Sequence, residues 1–166
     1  MLDARGIAFA RRSEGGAVPA DVGVVLGDTM GEMLAYYAAA DVAFIGGSLL
    51  PLGGQNLIEA LATGAPVLIG PHTFNFSEAA AGAVAAGAAQ RVADADALVH
   101  TVAELFSDQE RRDAMREAAG AFHAAHRGAA RRLMEWITPQ LDAALQRRAA
   151  GGELDKPADV SRSARD

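Results

Sequence analysis

Gly46, Gly47, Gly53 and Gly54 crowd one short loop, followed at once by Gln55, Asn56, Leu57, Ile58 and Glu59. Glycines let main-chain N–H groups approach an anion closely, and the start of a following helix offers unsatisfied N–H donors and a positive dipole end. A carboxylate at Glu59 shares nearly one helix face with Asn56 and can accept hydrogen bonds from both hydroxyls of a ribose. The chemistry suggested is a phosphate and a sugar held side by side. A plainer reading stands beside it, with glycines making tight turns and Glu59 solvated, because the loop is neither a dinucleotide fingerprint nor a P-loop.

Two further clusters sit in comparable places. GDTMGEM, residues 27–33, follows an apolar strand pattern. Asp28 or Thr29 as N-cap with Glu32 in the first helical turn accounts for it, and the alternative is that Asp28 and Glu32 point into a ligand crevice. GPHTFNFSE, residues 70–78, gathers His72, Thr73, Asn75, Phe74 and Phe76. Either the two aromatics plug the core under the loop and His72 meets a backbone carbonyl, or the cluster faces a ligand. No metal site is expected, since His72, His100, His123 and His126 form no ligand set and there is no Cys. Asp94 and Asp96 read as helix caps, not as a catalytic pair.

Strands and helices must position these residues. Ile7 to Arg11 is a marginal strand, and VGVVLG, VAFIGG, PVLIG and the weaker AAQRV are short apolar runs separated by helical patterns, the rhythm of a buried parallel sheet. Helices are predicted over 31–40, 56–64 with Gly64 as C-cap, and 77–87 with Ser77 as N-cap and Gly87 as stop. Each is about the length of a crossover helix. Past Arg91 three amphipathic helices follow, over 94–106, 108–126 and 129–146, and Pro139 is placed near the start of the last. The fold class is α/β, a Rossmann-like parallel sheet flanked by helices and followed by C-terminal helices. A complete doubly wound domain has about six strands; five are legible, so the domain, assigned to residues 1–150, is expected to be incomplete at its N-terminus. Residues 151–166 are expected to be a disordered tail.

Composition narrows the partners. With 166 residues, 51% of them apolar, and a net charge of -6, a soluble one-domain chain is expected and nucleic acid is not an expected partner. No run reaches the roughly 18 to 20 apolar residues of a membrane helix, and the first residues lack the build of a signal peptide. The absence of Cys fits a reducing compartment, so the cytoplasm is the expected location.

GDTMGEM and DVAFIGGSLLPLGGQNLIEALATGAPVLIGPHTFNF, in that order, resemble the C-terminal half of 3-deoxy-D-manno-octulosonic acid (Kdo) transferases, over about Gly6 to Ile137. The resemblance implies the donor-binding C-terminal domain of a GT-B glycosyltransferase, with CMP-Kdo as donor and neither metal nor cofactor. Met30, Gly31 and Glu32, and Asn56, Leu57, Ile58 and Glu59, match family segments that meet the CMP moiety. Gly53, Gly54, Gln55, His72 and Asn75 are further candidates for the donor-site loops. Glu59 would hold the ribose while Asn56 and the loop amides stabilise the departing phosphate.

The chain departs from the family at Gln55, where His is common, and at Leu57, where Pro is common. Gln55 keeps hydrogen bonding but cannot carry a proton near neutral pH. A PRHPER-like loop with an Arg contact to the donor is not found ahead of Leu2. The resemblance further implies an N-terminal half carrying the catalytic base, a site for the lipid A precursor lipid IVA and the only membrane contact. The complete enzyme would serve lipopolysaccharide synthesis on the cytoplasmic face of a Gram-negative inner membrane. The chain itself is expected to hold no catalytic residue, to bind CMP weakly and to transfer nothing alone. Alternatives are the donor domain of another GT-B transferase or nucleotide-sugar epimerase, or a non-catalytic remnant.

Overall fold

A computed structural model describes residues 1–149, which fall into two compact units, one over Met1–Ala125 and one beginning at His126. The expected tail over 151–166 lies outside the described residues. In the first unit the elements run β1 (Phe9–Arg11), β2 (Val24–Leu26), α1 (Met33–Ala39), β3 (Ala43–Phe44), α2 (Ile58–Ala62), β4 (Val67–Ile69), α3 (Ser77–Ala85), β5 (Ala89–Arg91), α4 (Ala95–Ser107) and α5 (Gln109–His126). Every strand pair is parallel, Ala43 opposite Val67 and Val67 opposite Ala89 in one sheet, Phe9 opposite Val24 in the other. The α/β class and parallel sheet are as the apolar runs imply.

The core surrounds β4. Val67, Leu68 and Ile69 are wholly buried because strands flank β4 on both sides and helices cover both faces. On one face Leu57, Leu61, Ala80, Ala83, Ala119 and Phe122 pack together; on the other Leu68 meets Leu105 and Met115. Full burial of each large aliphatic side chain is worth about 1.5–3 kcal/mol.

Several local expectations change. The sheet is two sheets, of two and three strands, and no residue of β1 or β2 is buried, so the expectation of a buried sheet holds only for β3–β5. α1 begins at Met33 with no side-chain cap, because Asp28 and Thr29 spend their oxygens elsewhere. α2 is only five residues, shorter than the predicted 56–64; Thr63 is its C-cap and Gly64 follows at φ +76°. Ser77 is the first residue of α3, not its N-cap, and makes no capping bond. Asp94 does cap α4, accepting from Ala97 N–H at 2.8 Å, and Asp108 accepts from Arg111 N–H at 2.9 Å.

The second unit contributes α6 (Ala129–Ala149), with Pro139 inside the helix and not near its start. Proline gives no N–H to the ladder, and the helix nonetheless continues through Pro139. Leu133, Met134, Trp136, Leu141 and Leu145 of α6 are exposed.

Candidate functional site

Ligand-facing chemistry in an open parallel sheet gathers beyond the carboxyl ends of its strands. Among the loops that leave such ends are those over residues 27–32, 45–57 and 70–76.

The glycine loop folds back on itself. Gly54 N–H donates to Gly47 O at 3.1 Å and Gln55 N–H to Gly46 O at 3.0 Å, which requires left-handed backbone at Gly47 (φ +73°) and Gly54 (φ +74°). Asn56 then holds the start of α2: its side-chain oxygen accepts from Ile58 N–H at 3.0 Å and its amide donates to Glu59 Oε1 at 3.2 Å. Asn56 and Glu59 are thus brought together as their spacing implies, and one carboxylate oxygen of Glu59 is held while the other is left to accept. With α2 at five residues its dipole is small, so anion binding falls to the loop amides more than to the helix. Leu57 is 1% exposed and belongs to the core, leaving only its main chain toward a ligand, while Ile58 is half-buried and Gln55 exposed.

The loop over 70–76 is bolted to the glycine loop. Ser48, wholly buried, donates its hydroxyl to Ile45 O, accepts from Gly70 N–H at 2.8 Å, and its carbonyl accepts from His72 N–H at 2.9 Å. Asn75 donates from its main chain to Gly53 O at 3.2 Å, and its side-chain amide lies 3.4 Å from the carbonyl oxygens of Leu52 and Gly54. The two aromatics divide: Phe76 packs on the core, whereas Phe74 is 63% exposed beside Gly53. His72 is half-buried and its side chain makes no bond among the described residues.

The loop over 27–32 answers to the turn after β1. Asp28 accepts from Ser13 twice, from N–H at 2.9 Å and Oγ at 2.6 Å. The Ser13 hydroxyl and then its N–H hold the Asp28 carboxyl below its usual range. Glu32 accepts from the Thr29 hydroxyl and pairs with the Arg12 guanidinium at 2.9 Å, and that hydroxyl first, then Arg12, lowers its carboxyl too. Both carboxylates are therefore engaged by Ser13, Thr29 and Arg12, and neither side chain caps α1. Met30 is almost fully exposed and Gly31 takes φ +83°; both line a cavity of about 400 Å³ with Val25, Gly27, Thr29, Met33 and Tyr36.

The structure does not bond the 30–32 segment to the 56–59 segment directly. Between them runs α1, packed on α2, with Tyr37 raised above the usual phenol range by burial and then by the charge of Glu59. Two residues escaped notice in the sequence. Arg12 holds Glu32, and Arg91 donates to Gly70 O at 2.7 Å, Pro71 O at 3.2 Å and the Thr73 hydroxyl at 3.3 Å, bracing the 70–76 loop from the end of β5. The basic pair opening RRSE and an Arg ending AAQR were the available signals. Among the described residues no three acidic or imidazole side chains converge on a point where a metal could sit, and no helix is long and apolar enough to cross a membrane.

The family described as glycosyl transferases group 1 matches residues 12–122. The chain is similar to a 3-deoxy-D-manno-octulosonic acid transferase of Bordetella pertussis, 56% identical over 136 residues covering 81% of this chain and 32% of that protein. It is also similar to the transferase of that name from Haemophilus influenzae, at 38% over 135 residues, again 81% and 32%. The chain therefore spans about a third of the length of these relatives. Among solved structures it resembles the C-terminal CMP-Kdo binding domain of WaaA from Acinetobacter baumannii, with a TM-score of 0.69 and 30% identity, covering 73% of this chain and 63% of that one.

Proposed function

The chain belongs to the group 1 glycosyl transferases, and from that premise we propose that it is the donor-binding part of a Kdo transferase, taking CMP-Kdo as donor. The observation that carries this is the likeness in both fold and sequence to a domain that binds CMP-Kdo. Glu59, steadied by Asn56, accepts the ribose hydroxyls, and the glycine loop, whose Gly54 and Gln55 N–H groups are spent on Gly47 O and Gly46 O, offers the phosphate its remaining amides. When the bond to Kdo breaks, CMP gains negative charge, and fixed N–H donors favour that state over the bound donor. Met30, Gly31 and Glu32 form the second donor contact, with Gly53, Gly54, Gln55, His72 and Asn75 framing the loops.

In this proposal the acceptor is a lipid A precursor, lipid IVA, and the reaction belongs to lipopolysaccharide inner-core synthesis on the cytoplasmic face of a Gram-negative inner membrane. The catalytic base and the membrane contact come from polypeptide beyond these residues, so the chain alone binds CMP weakly and transfers nothing. Calorimetric titration of the chain with CMP, UMP and UDP tests the donor reading. Preference for CMP supports it; preference for a uridine nucleotide moves the chain to another branch of the family, and binding of none favours a non-catalytic remnant.

A further inference from the structure

One imidazole stands alone in the stretch that carries the 27–32, 45–57 and 70–76 loops. From Ser13 to Gln90 the chain has no Lys or Arg, and His72 is the one side chain there that can bear a positive charge, while carboxylates recur, among them Asp28, Glu32 and Glu59. The arginines that reach these loops from either side of the stretch are engaged. Arg12 pairs with Glu32 at 2.9 Å, and Arg91 donates to Gly70 O at 2.7 Å, Pro71 O at 3.2 Å and the Thr73 hydroxyl at 3.3 Å. A phosphate at these loops therefore meets little positive charge apart from His72.

Many of the hydrogen-bond donors around the site are engaged too. Gly54 and Gln55 N–H turn to Gly47 O and Gly46 O, Gly70 N–H to the Ser48 hydroxyl, and Asn75 N–H to Gly53 O. The Asn56 amide holds Glu59, and that of Asn75 lies 3.4 Å from Leu52 O and Gly54 O. The His72 imidazole has no such partner among the described residues. Its main chain is fixed nonetheless: His72 N–H donates to the carbonyl of the buried Ser48 at 2.9 Å, and His72 O lies 3.5 Å from where a Cβ on Gly54 would stand. The half-buried ring thus hangs from a rigid seam between the 70–76 loop and the glycine loop. A donor on a fixed base loses little freedom when it takes a ligand.

We infer that His72 is a phosphate-binding residue, donating an imidazole N–H to a phosphate oxygen of the nucleotide. The contact is a hydrogen bond and transfers no proton. It strengthens as the bond to the sugar breaks, because the phosphate of departing CMP carries more charge than that of the bound donor. The inference rests on the donor reading above and adds which side chain meets the phosphate.

The test is NMR titration of the purified chain with CMP and with cytidine, which lacks the phosphate. The His72 ring resonances are expected to move with CMP and to stay in place at equal saturation with cytidine. That response is read in the parent and does not depend on the folding of any variant. His72→Ala is expected to weaken CMP about tenfold or more, as for a hydrogen bond to a charged group, and to change cytidine by less than about twofold. His72→Gln keeps a side-chain N–H and is expected to restore part of the loss. CMP bound with a still imidazole, or equal loss of CMP and cytidine in His72→Ala, overturns the assignment and leaves the donor reading standing. Failure of the parent to bind CMP overturns both.

Discussion

Ser48 and Gly70, 22 residues apart, are joined by a hydrogen bond of 2.8 Å from Gly70 N–H to Ser48 Oγ, and a Cβ on Gly70 would stand only 2.2 Å from Ser48 O. The glycine loop and the 70–76 loop therefore move as one piece. Donor contacts assigned to either depend on this buried junction.

Gly70→Ala is expected to lower stability by about 1–3 kcal/mol, since the clash is with main chain that cannot rotate away. Ser48→Ala leaves the buried Gly70 N–H without an acceptor and is expected to cost a similar amount, about 1–3 kcal/mol. Urea unfolding of both variants checks this, and losses below about 0.5 kcal/mol would mean that the loops are not locked through this pair.

Glu59→Ala is expected to weaken CMP binding by about 1.5–3 kcal/mol, the range for hydrogen bonds to a charged group. Asn56→Ala, which frees Glu59 without removing it, should weaken binding less. Calorimetry on both variants, with 2′-deoxy-CMP beside CMP, checks the assignment, because loss of the hydroxyl should matter in the parent and hardly at all in Glu59→Ala.

Glu32 and Asp28 set a pH dependence whose sign follows from their lowered carboxyls. Their bonds stabilise the fold fully above the ordinary values, 4.5 and 3.8, and the contribution is lost as pH falls through the lower values of the folded state. Carbon-detected NMR titration is expected to place the Glu32 midpoint below 4.5. Thr29→Val and Arg12→Ala should each return it toward 4.5, since the Thr29 hydroxyl and then Arg12 lower it.

Arg91→Ala removes the brace from Gly70, Pro71 and Thr73 without touching the core, and is expected to raise the mobility of the 70–76 loop with little loss of global stability. Faster amide exchange at His72 with an unchanged urea midpoint is the outcome expected.

β3 and β4 were legible because apolar runs between helical patterns report burial directly, β5 less so because only Ala89 of its three residues is buried, and Asn56 with Glu59 was legible because a three-residue spacing fixes a shared face. Asp28 and Thr29 misled for a physical reason. Their side chains suit an N-cap, but Ser13, 15 residues away from Asp28, offers two donors and wins the oxygens. Phe74 and Phe76 look equivalent in sequence, and only the 3₁₀ turn over Phe74–Phe76 sends one to the core and the other to the surface. The exposure of β1 and β2 was hidden because an apolar run records what a strand can bury, not which neighbours are there to cover it. Arg12 and Arg91 act on partners about 20 residues distant, a relation no local pattern encodes.

Amide chemical-shift mapping of the chain with CMP tests most directly whether the 30–32 and 56–59 segments contact the donor. Shifts are expected to concentrate at Gly31, Glu32, Asn56 and Glu59 and in the glycine loop, and to be weaker with UMP. Shifts elsewhere, or equal shifts with UMP, would contradict that contact.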